Sequence, residues 1–348
     1  MVASSNLKAR ALWFTAPRTA TLRDEAVPPP GPGEVRVEAI ASAVSAGTEL
    51  LVYRGGVPKD LPLDLPTLEG GYAFPIKYGY AAVGHVLDAG PDVEHLAAGE
   101  AVFVHHPHQE VFVVPATMPV RLPDVLDPML GVFFANLETA LNIVHDAPLR
   151  LGEAAIVFGA GVVGLLVARL MKLAGAGTVL VVDPLERRRK LALAAGADDA
   201  VGPERVDGRI MEVTGGRGAD VAVEASGIGS ALRAAIGAVA TEGTVVVASW
   251  YGTKPVALDL GGHFHRGRVR LRSSQVGRLN PELAPRWDRV RRTQTVLGLL
   301  GRLNLEDLIS HRLPFDRAPD AYPLLEERPE EAVQVVFTYE RSYGGQDV

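Results

Sequence analysis

The segment IVFGAGVVG places Gly159, Gly161 and Gly164 in a G-x-G-x-x-G pattern, directly after a run of strand-forming residues and directly before a run with helical apolar spacing. Glycines so spaced suit the cradling of a pyrophosphate. The first permits a tight turn, the second lets backbone approach the phosphates, and the third lets helix pack closely on strand. The amides of Val162, Val163 and Gly164 then open the helix, where unpaired N–H groups and the positive end of the dipole favour an anion. Asp183 stands 183 − 164 = 19 residues beyond the last glycine, at the end of the next strand-like run. A carboxylate about 20 residues on is placed to accept adenosine ribose hydroxyls and to repel a 2′-phosphate. The expected cofactor is therefore NAD. Arg187, Arg188 and Arg189 pull the other way, because a nearby guanidinium accepts that phosphate; NADP stands second, with Arg188 counted among the cofactor contacts.

A second group of reactive side chains lies upstream. The stretch SAGTELLVYRGG, residues 45–56, brings together Thr48, Glu49 and Arg54. Glu49 reads either as a proton-handling group or as half of an ion pair with Arg54. The stretch HHPHQE supplies His105, His106 and His108, and three histidines invite a metal. Consecutive strand residues point to opposite faces, however, so His105 and His106 are not expected to converge on one ion. His108 reads as a substrate contact or general acid/base titrating near neutrality, or else as a polar loop histidine. The chain has no cysteine, which removes disulfides, thiolate nucleophiles and cysteine-ligated metal sites.

These residues need two lobes to carry them. At 348 residues with a hydrophobic fraction of 47%, the chain is long for one core and suits two. Net charge is 35 − 41 = −6, which argues against a nucleic-acid partner or an anionic membrane surface. The local run ERRRK reads as one solvated helix face. No apolar run reaches the roughly 18 residues of a membrane span, and the N-terminus lacks the pattern of a secretory signal, so a cytoplasmic location is expected. From Leu12 to about Leu122 short alternating or apolar runs broken by Gly and Pro predict a β-rich lobe. From about Asp127, MLGVFFANLETALNIV predicts a helix, and strand-like runs (AAIVFGAG, TVLVVD, ADVAVEAS, GTVVVASW, VRLRSSQV) then alternate with helix-like ones. That alternation implies an α/β doubly wound parallel sheet. PRWDRVRRTQTVLGLLGRLNLEDLI predicts one further helix, and AVQVVFTYE a strand returning to the first lobe.

A β-rich N-terminal lobe, a central dinucleotide domain and a C-terminal return resemble the medium-chain dehydrogenase/reductase superfamily over essentially the whole chain. SAGTEL, RSSQVGR and PRWDRVRR are most similar to the branch that includes bacteriochlorophyllide hydroxyethyl dehydrogenases. The resemblance implies a GroES-like catalytic domain over residues 1–124 and 278–348 and a Rossmann domain over 125–277. The family's zinc-ligand pattern falls on residues that cannot match it: its C-x-[ST]-D element on Ala46-Gly47-Thr48-Glu49, its G-H-E element on Gly79-Tyr80-Ala81, and its remaining ligand on Ala135. No zinc is expected. Thr48 matches the family's relay hydroxyl, and the histidine that continues the relay is Leu51 here. Tyr80 is implied to aim its phenol at the vacated metal position with Glu49 as a partner, the alternative being a partly buried aromatic whose hydroxyl finds some other partner. Thr139 matches the nicotinamide-contacting threonine. Ser226 and Gln275 are placed toward the cofactor, and Trp287 in the cleft or at the domain junction. The implied activity is hydride transfer between NAD(H) and a secondary alcohol or ketone without zinc. The alternatives are a reductase of quinones or activated C=C bonds, and a silent nucleotide-binding protein. A homodimer is expected through the edge strand Val269–Val276.

Overall fold

The structure, a computed structural model, describes residues 6–340 except positions 64, 66 and 69. In chain order the strands are β1 (Leu7–Ala16), β2 (Thr19–Val27), β3 (Glu34–Ala43), β4 (Ile76–Lys77), β5 (Ala82–Ala89), β6 (Ala101–Val104), β7 (Val111–Pro115) and β8 (Val120–Arg121), with helix α1 (Ala46–Tyr53) after β3. Helix α2 (Phe134–Asp146) leads into β9 (Ala154–Phe158), α3 (Val162–Leu173), β10 (Thr178–Val182), α4 (Glu186–Ala194), β11 (Asp199–Val201), α5 (Val206–Val213), β12 (Ala219–Glu224), α6 (Gly229–Ala238), β13 (Val239–Val247), α7 (His263–Arg266), β14 (Arg270–Ser273) and α8 (Arg289–Leu300). The chain closes with β15 (Ile309–Pro314), α9 (Ala321–Glu327) and β16 (Gln334–Thr338). It divides into two compact units, one running up to Ala135 and resuming at Leu297, the other Asn136–Val296.

In the first unit β3 is the organising strand. Its sequence EVRVEAIASA is rich in small and β-branched residues, and no position along it is exposed. It pairs antiparallel with β5, with β7 along its first half and with β16 along its last three residues. Val35, Val37 and Ala39 pack with Val86, Val102, Val104, Phe112 and Val114 in one cluster. A second cluster gathers α1, α9 and β16: Leu51, Val52, Tyr53, Tyr322, Leu325 and Phe337, with Leu12 and Phe14 from β1. Phe14 meets Tyr322 edge-on, ring centroids 4.8 Å apart, the geometry that opposed ring quadrupoles favour.

The second unit is a six-stranded sheet in the order β11-β10-β9-β12-β13-β14, every pairing parallel. The central strands β9 and β10 are short, continuous and apolar, as a sheet covered on both faces requires. The order in which strands are added reverses between β9 and β12, and in such sheets a crevice opens at the carboxyl ends of the strands at the switch point.

Several expectations about the elements change. The predicted long helix near the C-terminus is α8 alone, because Asp288 accepts the Arg291 amide at 2.7 Å and sets its start, while Gly301 follows its end, a residue that suits helix termination. The first unit extends to Ala135: Val132 and Phe133 are fully buried in a 3-10 turn, Pro128–Phe133, that packs on β3, β5 and β6. The second unit runs to Val296. There the Arg292 guanidinium donates to Asn142 Oδ1 at 3.1 Å, the Val276 carbonyl at 2.6 Å and Glu138 at 2.7 Å, fastening α8 to its unit. The edge strand is shorter than expected, and β11 and α5 are additions that the apolar pattern did not single out.

Candidate active site

In the second unit the glycine turn sits at the end of β9. Gly159 has φ +96°, and a Cβ there would lie 2.9 Å from the Ser226 amide nitrogen. A Cβ on Gly164 would lie 1.9 Å from the Gly159 carbonyl oxygen, so no larger residue fits between helix and turn. Gly161 is different: a Cβ there would meet nothing within 4 Å. Its smallness serves the space outside the protein. α3 starts at this residue without a side-chain cap, leaving the amides of Val162, Val163 and Gly164 without intrahelical acceptors.

Asp183 follows β10 and is buried under the turn, where Oδ2 accepts the Ala160 amide at 2.8 Å and Oδ1 the Leu185 amide at 2.9 Å. Each oxygen keeps a second lone pair. Arg189 folds back to donate to the carbonyls of Asp183 and Pro184, both at 2.8 Å. Arg188 is half-buried beside Asp183, its pKa pushed down by burial and partly restored by that carboxylate. Ser226 donates its hydroxyl to Glu224 at 2.6 Å. Thr139 is half-buried on α2, and Gln275 is exposed, its carbonyl taking Asn142 Nδ2 at 3.3 Å. Trp287 packs edge-on to His145, centroids 4.2 Å apart, under Arg291.

In the first unit a hydroxyl cluster forms around the start of α1. Glu49 reaches back and accepts the Ser45 amide on Oε1 at 2.7 Å, so one helix-end N–H is met by a carboxylate. The Ser45 side chain makes no cap of its own, which leaves its hydroxyl for another partner. The Tyr80 phenol donates to it, and the Thr48 hydroxyl lies near enough to pull the phenol pKa down. Burial pushes the Tyr80 pKa up, the two hydroxyls pull it back, and the Glu49 charge adds to the rise.

Glu49 does not pair with Arg54, whose guanidinium goes to Glu326 at 2.8 Å, nor does it bond the Tyr80 phenol as its partner. Its Oε2 accepts His108 Nε2 at 3.0 Å and the Tyr322 hydroxyl at 2.8 Å. Glu49 and His108 are both 0% exposed, so neither reaches solvent directly. The other imidazole nitrogen, Nδ1, lies 2.7 Å from Ser42 Oγ, which is 2.7 Å from the Tyr339 hydroxyl. With Glu49 accepting from Nε2–H, Nδ1 is left to face the Ser42 hydroxyl.

The three histidines go separate ways, for a different reason than strand alternation: β6 ends at Val104 and residues 105–107 are irregular. His105 Nδ1 meets the Tyr80 carbonyl at 3.2 Å. His106 lies flat on Phe112, centroids 3.8 Å apart. Among the described residues no three His, Cys, Asp or Glu side chains assemble as metal ligands. Ser42, Ser45, Tyr322 and Tyr339 were not singled out from the sequence. Only Ser45, as a helix-capping type just before α1, carried a local signal.

A parallel sheet with a phosphate-type turn at its switch point in one unit, and a β-rich fold with buried hydroxyls in the other, define the class of two-domain dinucleotide oxidoreductases. Residues 162–291 match the zinc-binding dehydrogenase family. The chain is 31% identical to the D-guloside 3-dehydrogenase of Escherichia coli, over 94% of this chain and 99% of that one. A Sinorhizobium meliloti protein solved with NADP shares the fold at TM-score 0.77 and 22% identity, covering 95% of this chain and 99% of that one. An alcohol dehydrogenase of Escherichia coli solved with NADH shares it at TM-score 0.78 and 20% identity, with the same coverage of 95% and 99%. The chain belongs to the medium-chain dehydrogenase/reductase family, in its zinc-binding alcohol dehydrogenase-like group, with GroES-like and Rossmann domains. It is an NAD(P)-dependent oxidoreductase.

The buried His106 makes a testable statement about acid. Burial lowers its pKa from 6.5 to about 3, so between those values the unfolded chain binds a proton that the folded chain refuses. Stability contributed by this site is complete above pH 6.5 and falls as pH drops toward 3, by up to about 1.4 kcal/mol per pH unit. Melting temperatures of the unmutated protein and His106→Gln, measured from pH 7 to pH 4, should show a shallower acid decline for the variant. Parallel curves would refute the assignment.

Proposed function

We propose that the enzyme moves a hydride between NAD(H) and a secondary alcohol or its ketone, with hydroxyl groups in place of a zinc ion. The observation that supports this reading is the Tyr80 phenol donating to Ser45 close to Thr48, on segments that the resemblance aligns with the family's metal-ligand elements. Zinc independence rests on the donor set. Methyl groups at Ala46, Ala81 and Ala135 offer no lone pair, the Tyr80 phenol is already engaged, and a catalytic zinc needs about three protein ligands. These residues do not fit the ion.

They do fit a dinucleotide. The open space over Gly161 and the uncapped amides of Val162, Val163 and Gly164 suit a pyrophosphate, and Asp183 suits the ribose. A bound nicotinamide gives or takes the hydride. The chain's task is then to orient substrate and move one proton. In the reducing direction the Tyr80 phenol donates to the oxygen that becomes the alcohol, and the Ser45 and Thr48 hydroxyls turn to stabilise the phenolate. Glu49 and His108, being enclosed, act by holding Ser45 and α1 in place. Thr139, Ser226, Gln275 and Arg188 belong on this reading to the cofactor's surroundings.

Asp183 should make NADH bind more tightly than NADPH, and Asp183→Gly should narrow or invert that order. Gly161→Ala should fold normally yet bind NADH at least about tenfold more weakly. Calorimetric titration decides both; tighter NADPH binding by the unmutated protein would show that the arginines win.

Assayed on a panel of secondary alcohols with NAD, and separately on quinones and enones with NADH, Tyr80→Phe and Thr48→Ala should each lower kcat by about 10²-fold. Ser45→Ala should fall in the same direction, and turnover should survive prolonged chelation. Stoichiometric zinc with chelator-sensitive activity would overturn the metal-free reading, and turnover confined to quinones or enones would move the reaction to C=C reduction.

β14 forms one edge of the sheet, and pairing it with a second copy would satisfy backbone groups that an open edge leaves available for uncontrolled association. Sedimentation at micromolar concentration should show a dimer; a lone monomer would remove the idea.

A further inference from the structure

Glu224 is the last residue of β12 and is fully buried. A carboxylate taken out of water must be supplied with donors, and this one is supplied from two loops. Oε1 accepts the Ser226 amide at 2.7 Å, the Ser226 hydroxyl at 2.6 Å and the Gly227 amide at 2.9 Å. Oε2 accepts the Tyr251 hydroxyl at 2.8 Å. Burial, and then the bond to Glu224, pushes the Tyr251 pKa up, which keeps the phenol a donor. Ser249 completes the tie by accepting the Gly227 amide at 2.8 Å. One side chain thus fastens the loop after β12 to the loop after β13.

Their place in the fold gives the tie a purpose. Glu224 is in register with Phe158 of β9, the Ala225 amide donates to the Phe158 carbonyl at 2.8 Å, and Ser226 crowds Gly159 of the phosphate turn. β9 and β10, with the glycine turn and Asp183, form the half of a doubly wound sheet that takes the adenosine side of a dinucleotide. β12 and β13 form the half that takes the second mononucleotide. We infer that Glu224 and Tyr251 are positioning residues for the nicotinamide half of the cofactor, holding the two loops that wall it while leaving the adenosine half untouched. This rests on the dinucleotide reading above.

The test uses the full chain and two probes, AMP for the adenosine half and NADH for the whole. Glu224→Gln replaces an acceptor oxygen with a donor against hydrogens already in place. It should raise the Kd for NADH about tenfold, and Tyr251→Phe about threefold, with AMP affinity within about twofold of the unmutated protein in both. Amide exchange at Ser226 and Gly227 should quicken in both variants while the melting temperature of Tyr251→Phe stays nearly constant. If Glu224→Gln fails to fold, Tyr251→Phe decides alone. Unchanged NADH affinity with AMP still bound, or parallel losses for AMP and NADH, would overturn the inference. Failure of the unmutated protein to bind either nucleotide would instead overturn the dinucleotide reading beneath it.

Discussion

The first unit depends on one enclosed negative charge. Glu49 sits in an apolar cluster where an unmet carboxylate would not be tolerated, and its donors come from three separated parts of the chain: the Ser45 amide, His108 and Tyr322. Satisfying that charge fixes the first turn of α1, the loop between β6 and β7, and α9 against each other. The Ser45 side chain makes no cap of its own. Its hydroxyl is therefore left to accept from the Tyr80 phenol.

The second unit uses acids in a related way. Asp183 ties the glycine turn to the start of the loop after β10, and Glu224 ties the loops after β12 and β13. Each carboxylate sits at or just beyond the carboxyl end of a strand and accepts from two backbone amides, with two hydroxyls added at Glu224. A pre-formed frame of this kind spends no binding energy on ordering loops when a ligand arrives.

Much of this was legible from local pattern. The glycine spacing, the apolar strand runs and Asp183 lie within 25 residues of one another, from Gly159 to Asp183, and the alternation of periods that marks a doubly wound sheet is a short-range signal. The family's own motifs marked Thr48 and Tyr80. The partners of Glu49 were not legible: His108 is 59 positions away and Tyr322 273, and an arginine five residues on is the natural local guess for a glutamate. His108 looked available because three histidines in six residues suggest a polar loop, whereas the fold turns each ring inward to a different neighbour. The long C-terminal helix failed because apolar spacing alone does not register Gly301 as a stop.

Ser42, His108 and Glu49 stand in line, hydroxyl to imidazole to carboxylate, at 2.7 and 3.0 Å. That is the residue order by which an acyl-transfer nucleophile is recognised, with the imidazole reversed so that Nδ1 meets the serine and Nε2 the carboxylate. Here the serine belongs to the central strand of a sheet and is 0% exposed, so no scissile carbonyl can approach it, and its oxygen also faces the Tyr339 phenol. A search for hydrolases by three-atom geometry would select this dehydrogenase, and requiring an open path to the hydroxyl would reject it.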